Sequence, residues 1–309
     1  MQVYLFGDFR ISTDTQAELE LRPTAARLFA FLLLHRHCAH LREVVAESFW
    51  EDSEIDRARK NLNTALWQLR HALHESDNSQ AKLIATTPEQ IKINQEAQLW
   101  LDVAWFEDKA KQGLAHAAAG LSAAALDALE AAVALYQGDL LNCFYDPWVL
   151  HERERLRMIY LRCLTRLMAH HQQQHNLDAS IDYAQRILRV EPWREDIHRT
   201  LMTLYAESGR RADALAQYKL CRQSLASELD VPPMAETDAL YRRLLTNPQG
   251  GHPQTVSMPN HRSAANGYGA KEPTLQEATA QLQVAIQTMQ DAQRALDRAV
   301  AVVERKIQS

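Results

Sequence analysis

From Asp102 onward the chain is written almost entirely in one period. Apolar residues recur at three- and four-residue spacing through "DVAWFEDKAKQG", through "LSAAALDALEAAVALYQG", and through a long stretch after Pro147. The same spacing fills "NLDASIDYAQRILRVEP", "WREDIHRTLMTLYAESG" and "RRADALAQYKLCRQSLASEL". Each stripe is one face of a helix, and a helix with such a face must bury it against a neighbour. Ser122 is placed to cap the second helix, with Gly138 expected at its end. Ser180–Ile181 and Ala214–Leu215 occupy equivalent places 34 residues apart. That length suits a helix pair stacked on the next pair, and the repeat is seen about twice.

The first hundred residues follow another rule. "VYLFGDFRI" is rich in strand formers and "AELEL" alternates, so both are read as short strands. Pro23 stands near a helix start, and Leu28, Phe29, Phe31, Leu32 and Leu33 mark the helix after it as buried. "LREVVAESFWED" reads as a second, short helix with Val44, Val45, Phe49 and Trp50 apolar. Asp56 is a good N-cap for a third. "KLIATTPEQIKIN" then reads as a hairpin turning at Thr87-Pro88-Glu89-Gln90. The order β-β-α-α-α-β-β is that of a winged helix-turn-helix, and the 34-residue period is that of tetratricopeptide repeats.

The third helix carries an unusual outer face. In "ARKNLNTALWQLRHAL" the residues Leu62, Ala65, Leu66, Leu69 and Leu73 form the apolar stripe. Lys60, Asn63, Thr64, Trp67, His71 and His74 lie opposite, with Arg59 and Arg70 at the edge. Arg57, Arg59, Lys60 and Arg70 place four positive charges with no carboxylate between them, in a chain whose net charge is −5. A solvated helix normally interleaves its signs to gain i,i+4 pairs. A helix anchored by leucines that offers Lys, Asn, Thr, Trp and Arg outward suits a DNA major groove. Cations there neutralise phosphates, and Asn or Arg bonds base edges. Lys82, Thr86, Thr87 and Lys92 of the hairpin are placed to lie along the backbone or minor groove.

Composition narrows the rest. The nine glycines include no GxGxxG or GxxxxGK[ST] arrangement, so no phosphate cradle and no cofactor is expected. Four scattered cysteines, Cys38, Cys143, Cys163 and Cys221, form no CxxC pair and suit a reducing cytoplasm. No apolar run reaches the roughly 18 residues of a membrane span, and "MQVYLFGDFR" lacks a basic n-region, so a cytoplasmic protein without a signal peptide is expected. The histidine groups His35, His37, His40 and His170, His171, His175 have no Cys or carboxylate at ligand spacing, and no metal is expected. In "HERERLR", Arg153, Arg155 and Arg157 alternate with carboxylates, which reads as ion pairing rather than acid–base chemistry. With no nucleophile elbow or triad either, no enzyme is expected. Trp148, Trp193, Tyr183, Tyr205 and Tyr218 fall on the repeat helices, as core residues or as the lining of a groove for a ligand or peptide.

Residues 248–272 are rich in Pro, Gly, Asn and Ser and read as a linker. Beyond Pro273 a heptad begins: Leu275, Leu282, Met289, Leu296 and Val303 repeat every seven, with Ile286, Val300 and Ile307 four residues after members of that series. Thr279 and Gln293 interrupt the a positions, and Ala278, Ala285, Ala292 and Ala299 fill g. Self-association through this helix is expected.

Several of these segments together resemble regulators of the SARP type (Streptomyces antibiotic regulatory protein), an OmpR-like winged helix followed by a bacterial transcriptional activation domain. The resemblance covers about residue 3 to residue 246. It rests on "VYLFGDFRI", "SFWED", "RARKNLNTALWQLRHAL" and "WLDVAWFE", then "YQGDLL", "PWVLHERERL", "EPWREDIHRTLMTLYAESGRRADALAQY" and "LASELDVPP". It implies major-groove docking at direct repeats near a promoter, with Arg59, Lys60, Asn63, Thr64, Trp67 and Arg70 as the contact set. It implies a helical domain that supports dimers and contacts RNA polymerase. Two departures stand out. "PEQIKI" replaces the usual Gly-Gly-Tyr wing end, and Asp230 stands where Gly usually ends the helix. Control by ATP is not implied.

The expected organisation is therefore a mainly α chain. A winged helix occupies residues 1–98, a tetratricopeptide-like activation domain 99–247, the linker 248–272 and the heptad helix 273–309. The expected function is an oligomeric transcription regulator, an activator, with double-stranded promoter DNA and RNA polymerase as partners and no membrane. The rivals are a protein-interaction adaptor and a small-molecule sensor.

Overall fold

The computed structural model describes residues 1–13, 18–76, 83–94, 96–97, 99–115 and 121–246, the side chains of 74–76 excepted. The linker and heptad helix expected over 248–309, and Lys82, lie outside the described residues. The chain opens with β1 (Gln2–Tyr4) and β2 (Arg10–Ser12), paired antiparallel with Val3 opposite Ile11. Gly7 turns between them at φ +78°, a conformation that costs a glycine little. "AELEL" is not a strand: it contributes a single bridge, Glu18 to Ser12.

Helix α1 (Pro23–Leu34) starts on its proline, which has no amide hydrogen to leave unsatisfied. A short β3 (His40–Leu41) leads into α2 (Arg42–Phe49). Val44 is 54% exposed, so α2 buries only Val45, Ala46 and Phe49. Helix α3 (Ile55–Ser76) begins one residue before Asp56, which therefore lies within its first turn instead of capping it. The hairpin β4 (Ile84–Thr86) and β5 (Gln90–Ile93) forms at the expected turn, where Thr87 N donates to Gln90 O at 2.9 Å. β3 pairs with β5, giving one three-stranded sheet in the order β3-β5-β4. β6 (Trp100–Leu101) runs parallel to β1 and completes a second, β2-β1-β6.

The helical part comprises α4 (Asp102–Leu114), α5 (Ala123–Leu135), α6 (Pro147–Gln173), α7 (Leu177–Val190), α8 (Glu195–Glu207), α9 (Arg211–Glu228) and α10 (Ala235–Thr246). Ser122 caps α5, its hydroxyl accepting from Ala125 N at 3.2 Å. Of the four markers of the repeat, Ser180, Ile181 and Ala214 are buried and Leu215 is half-buried. Asp230 takes φ +54°, so the turn after α9 keeps a left-handed residue although it is not glycine. Asp tolerates that region better than most side chains.

Helix α5 stops at Leu135, short of Gly138. The chain leaves the helix there to lie against the β1–β2 turn. Gly7 N donates to Asp139 O at 2.9 Å, Leu141 N to Leu5 O at 2.8 Å and Asn142 N to Gly7 O at 2.9 Å. These bonds replace the helical ones. A side chain at Gly138 would stand 3.5 Å from the Gly7 backbone, ordinary contact distance in a close approach. Asp102 completes the junction. Buried at the start of α4, its carboxylate accepts from Leu5 N (2.8 Å), Phe6 N (2.9 Å) and Val103 N (2.7 Å). Phe6 packs edge-on against Phe106 at 5.1 Å and tilted against Tyr136 at 4.7 Å. Arg153 donates to Leu140 O, Leu141 O and Phe144 O at 2.8, 2.7 and 2.9 Å, holding the turn that reaches the junction. Further along, Arg27 pairs with Asp146, Arg36 and Arg155 converge on Glu107, and Trp148 packs against Phe31 and Phe49. One continuous apolar core thus runs from Val3 through α3 to Ala214.

Candidate nucleic-acid interface

Helix α3 is fixed by its inner face. Ala58, Leu62, Ala65, Leu66 and Leu69 are each no more than 3% exposed. Truncating any one of these leucines would cost about 2–5 kcal/mol, so the helix cannot easily rotate. Its other face is therefore held outward. Arg57, Arg59, Lys60, Asn63, Thr64 and His71 are exposed, and Trp67 is 64% exposed. Trp67 and His71 stack with rings 5.2 Å apart and nearly parallel. Thr64 donates its hydroxyl to Lys60 O at 3.0 Å, leaving its lone pairs to face outward.

Residues from neighbouring elements join this face. Arg42, the first residue of α2, donates to the Asn63 side-chain oxygen. Arg70, half-buried, donates to the Thr86 hydroxyl and ties α3 to the hairpin. Burial, and then the nearby charge of Arg70, pull the Arg42 guanidinium below its ordinary pKa. Arg42 and Arg70 thus form one positive cluster. Thr87 sits in the hairpin turn, its hydroxyl oxygen accepting from Gln90 N at 3.0 Å.

Arg59 is not as free as a face without carboxylates suggests. Glu43 of α2 pairs with it, and Asp56 lies 3.5 Å away. Both pairs are exposed, and exposed pairs contribute at most about 1 kcal/mol, so an incoming anion can displace them. Arg42 and Glu43 were not among the residues the α3 pattern picked out. The signal for them is their place at the N-terminus of the helix that precedes α3. Lys60 and Arg57 make no side-chain hydrogen bond or ion pair among the described residues. The fold gathers Arg59, Lys60, Asn63, Thr64 and Trp67 on one helix face, with Arg70, Thr86 and Thr87 at its hairpin side.

The other clusters have structural partners. His35 Nδ1 lies 3.0 Å from Phe31 O, His40 Nε2 lies 3.1 Å from His35 O, and His171 stacks on Tyr183. Among the described residues no three potential metal ligands gather. Trp148, Trp193, Tyr183, Tyr205 and Tyr218 make no ring contact with one another among the described residues; Tyr218 stacks instead on Tyr241 at 4.0 Å. No described helix is long and apolar enough to cross a membrane.

The chain is similar to several known regulators. The sequence profile of the bacterial transcriptional activator domain matches residues 101–245. The transcriptional regulatory protein MoaR1 of Mycobacterium tuberculosis is 23% identical over 231 residues, which cover 72% of each chain. The regulatory protein AfsR of Streptomyces coelicolor is 26% identical over 242 residues, 78% of this chain but only 24% of AfsR. Among solved structures, EmbR of Mycobacterium tuberculosis, in complex with a low-affinity phosphopeptide, has the same fold at a TM-score of 0.62 and 22% identity. That match covers 79% of this chain and 64% of EmbR.

Proposed function

Because this chain is a transcriptional regulator of the SARP type, we propose that it docks α3 in the major groove of promoter DNA and uses its helical domain for dimerisation and for contact with RNA polymerase. The observation that carries the reading is the exposed strip Arg59–Lys60–Asn63–Thr64–Trp67, anchored from behind by buried leucines and flanked by Arg42 and Arg70. Lys60 and Arg59 supply phosphate neutralisation, which sets affinity without reading sequence. Asn63, released from Arg42, offers both an acceptor and a donor to an adenine edge. Arg42, freed in the same exchange, turns to phosphate. Arg70 and Thr86 hold the hairpin against α3, and Thr87 approaches the backbone beyond it.

We further propose that the division of labour follows residues 1–98 for DNA reading and 99–247 for activation, with 248–272 a tether and 273–309 a self-associating helix. Linking two reading heads multiplies affinity through effective concentration. The role is one of binding without catalysis, in the cytoplasm beside the chromosome.

Selection of bound fragments from genomic DNA, followed by mobility shift, tests this. Asn63→Ala should relax preference at one base pair by about 1–3 kcal/mol while leaving non-specific binding intact. An Asn63 variant with an unaltered selected motif would sink the docking.

A further inference from the structure

The segment that leaves α5 early does more than meet the β1–β2 turn. It also forms one wall of a depression of about 320 Å³ between α5, α6 and α7. Gly138 and Asp139 line it from that segment, Arg157 and Tyr160 from α6, and Arg189 from the last turn of α7. The volume lies at the small end of small-molecule sites, roughly 300–1,000 Å³.

The groups around this depression are short of acceptors. Asp139 is the carboxylate that lines it, and both its oxygens are committed. One accepts from the Tyr136 hydroxyl at 2.8 Å, the other from Arg157 at 2.7 Å. Glu154, which does not line the depression, reaches Arg157 only at 3.7 Å. The donors are less well served. Tyr160 is 7% exposed, and its oxygen accepts from Arg186 at 3.3 Å. Its own hydroxyl hydrogen has no acceptor among the described residues. The Nε of Arg157 is buried without a hydrogen-bond partner. Arg189 is exposed and makes no side-chain hydrogen bond or ion pair among the described residues. Its position suits the carbonyl end of α7 but leaves its guanidinium donors open. The Gly138 amide donates to no described residue. A buried donor without an acceptor is costly and rare, so several around one depression call for an acceptor from outside.

An oxyanion meets that need, because it only accepts and it pairs well with guanidinium groups. A carboxylate offers two oxygens and a phosphoryl group three. The open donors sit on three separate elements, which favours the tetrahedral group. We propose that this depression binds a small phosphorylated metabolite. Its phosphoryl oxygens are held by Arg189, the Tyr160 hydroxyl and the Gly138 amide, and its organic part lies beside Val190, which shares the lining. Asp139, through its carbonyl, accepts from Gly7 N at 2.9 Å. An occupant therefore ties α7 to the segment that holds the β1–β2 turn. The proposal is independent of DNA docking by α3.

The test is calorimetric titration of the full chain with glycerol 3-phosphate, inorganic phosphate and acetate at constant ionic strength. Glycerol 3-phosphate should saturate one site and raise the thermal midpoint. Inorganic phosphate should compete for that site more weakly, and acetate should not compete. Arg189→Gln, at an exposed position, should weaken binding about tenfold, and Tyr160→Phe several-fold. If Tyr160→Phe lowers the thermal midpoint of the unliganded chain, Arg189→Glu carries the same comparison. Heat that does not saturate, inorganic phosphate or acetate binding as tightly as the ester, or Arg189 variants that bind it like the parent, would overturn the proposal.

Discussion

Arginines do opposite work at the two ends of the winged helix. At the junction with the helical repeats, Arg27, Arg36, Arg153, Arg155 and Arg157 are all bonded to carboxylates or carbonyls. On α3, Arg57 and Lys60 stand in solvent, and Arg59 is held only by exposed carboxylates. The residue types are the same and the surroundings differ. Where a guanidinium is partly buried against several acceptors, it fixes architecture; where its partners are solvated, it stays available for exchange.

Removing a cation from each side should break or sharpen that contrast. The largest effect is expected for Arg153→Ala, which strips the donor from three main-chain carbonyls. Denaturant unfolding should register a loss of about 3–5 kcal/mol; a loss under 1 kcal/mol would mean the junction is held by its apolar contacts alone. Next come two buried titrating groups. Burial raises the Asp102 carboxyl to about 6, against an ordinary value near 3.8, even though three amides donate to it. The folded state therefore holds a proton that the unfolded state gives up in that window. Stability from Asp102 rises as pH falls from about 6 toward 4, by roughly 1.4 kcal/mol per pH unit at most. His198 has the opposite sign. Burial holds its imidazole below the usual 6.5, despite the Pro192 carbonyl 2.9 Å away. Its contribution is intact above 6.5 and is lost as pH falls below that value. Thermal midpoints at pH 7 and 4.5 should show wild type gaining on Asp102→Asn and losing ground to His198→Asn; the reverse slopes would refute both assignments.

The smallest changes belong to the α3 face. Lys60→Ala should leave stability within about 0.5 kcal/mol while lowering the salt dependence of DNA binding by about one ion. Glu43→Gln should do the converse, tightening DNA binding because Arg59 loses its competitor. Mobility shifts across a salt series measure both, and a tighter Lys60→Ala or a weaker Glu43→Gln would contradict the assigned roles.

Periodicity was enough to read the helices, the hairpin turn and the face of α3, because each is set by residues three or four apart, or by one turn. It was enough for the buried repeat markers Ser180 and Ala214. It could not reveal the junction, whose contacts join Leu5 and Gly7 to Asp139 and Leu141 across the whole winged helix. The early end of α5 has the same cause, since the segment after Leu135 bonds to a distant turn instead of continuing the helix. "AELEL" alternates like a strand but finds a single bridging partner. On the candidate interface, the Glu43–Arg59 and Arg42–Asn63 pairs escaped because they cross between helices. Asp230 was legible only as a departure, and its left-handed backbone explains why the turn survives it.

The shared core between the first β-turn and the helical repeats has a consequence for promoters. With the winged helix docked on DNA as proposed, a reading head bolted to its arm would measure distance along DNA as a stiff ruler, not as a bead on a string. Two such heads joined through their arms would tolerate extra whole turns of the double helix poorly and half-turns hardly at all. Operator phase, more than operator spelling, would then decide which sites are occupied.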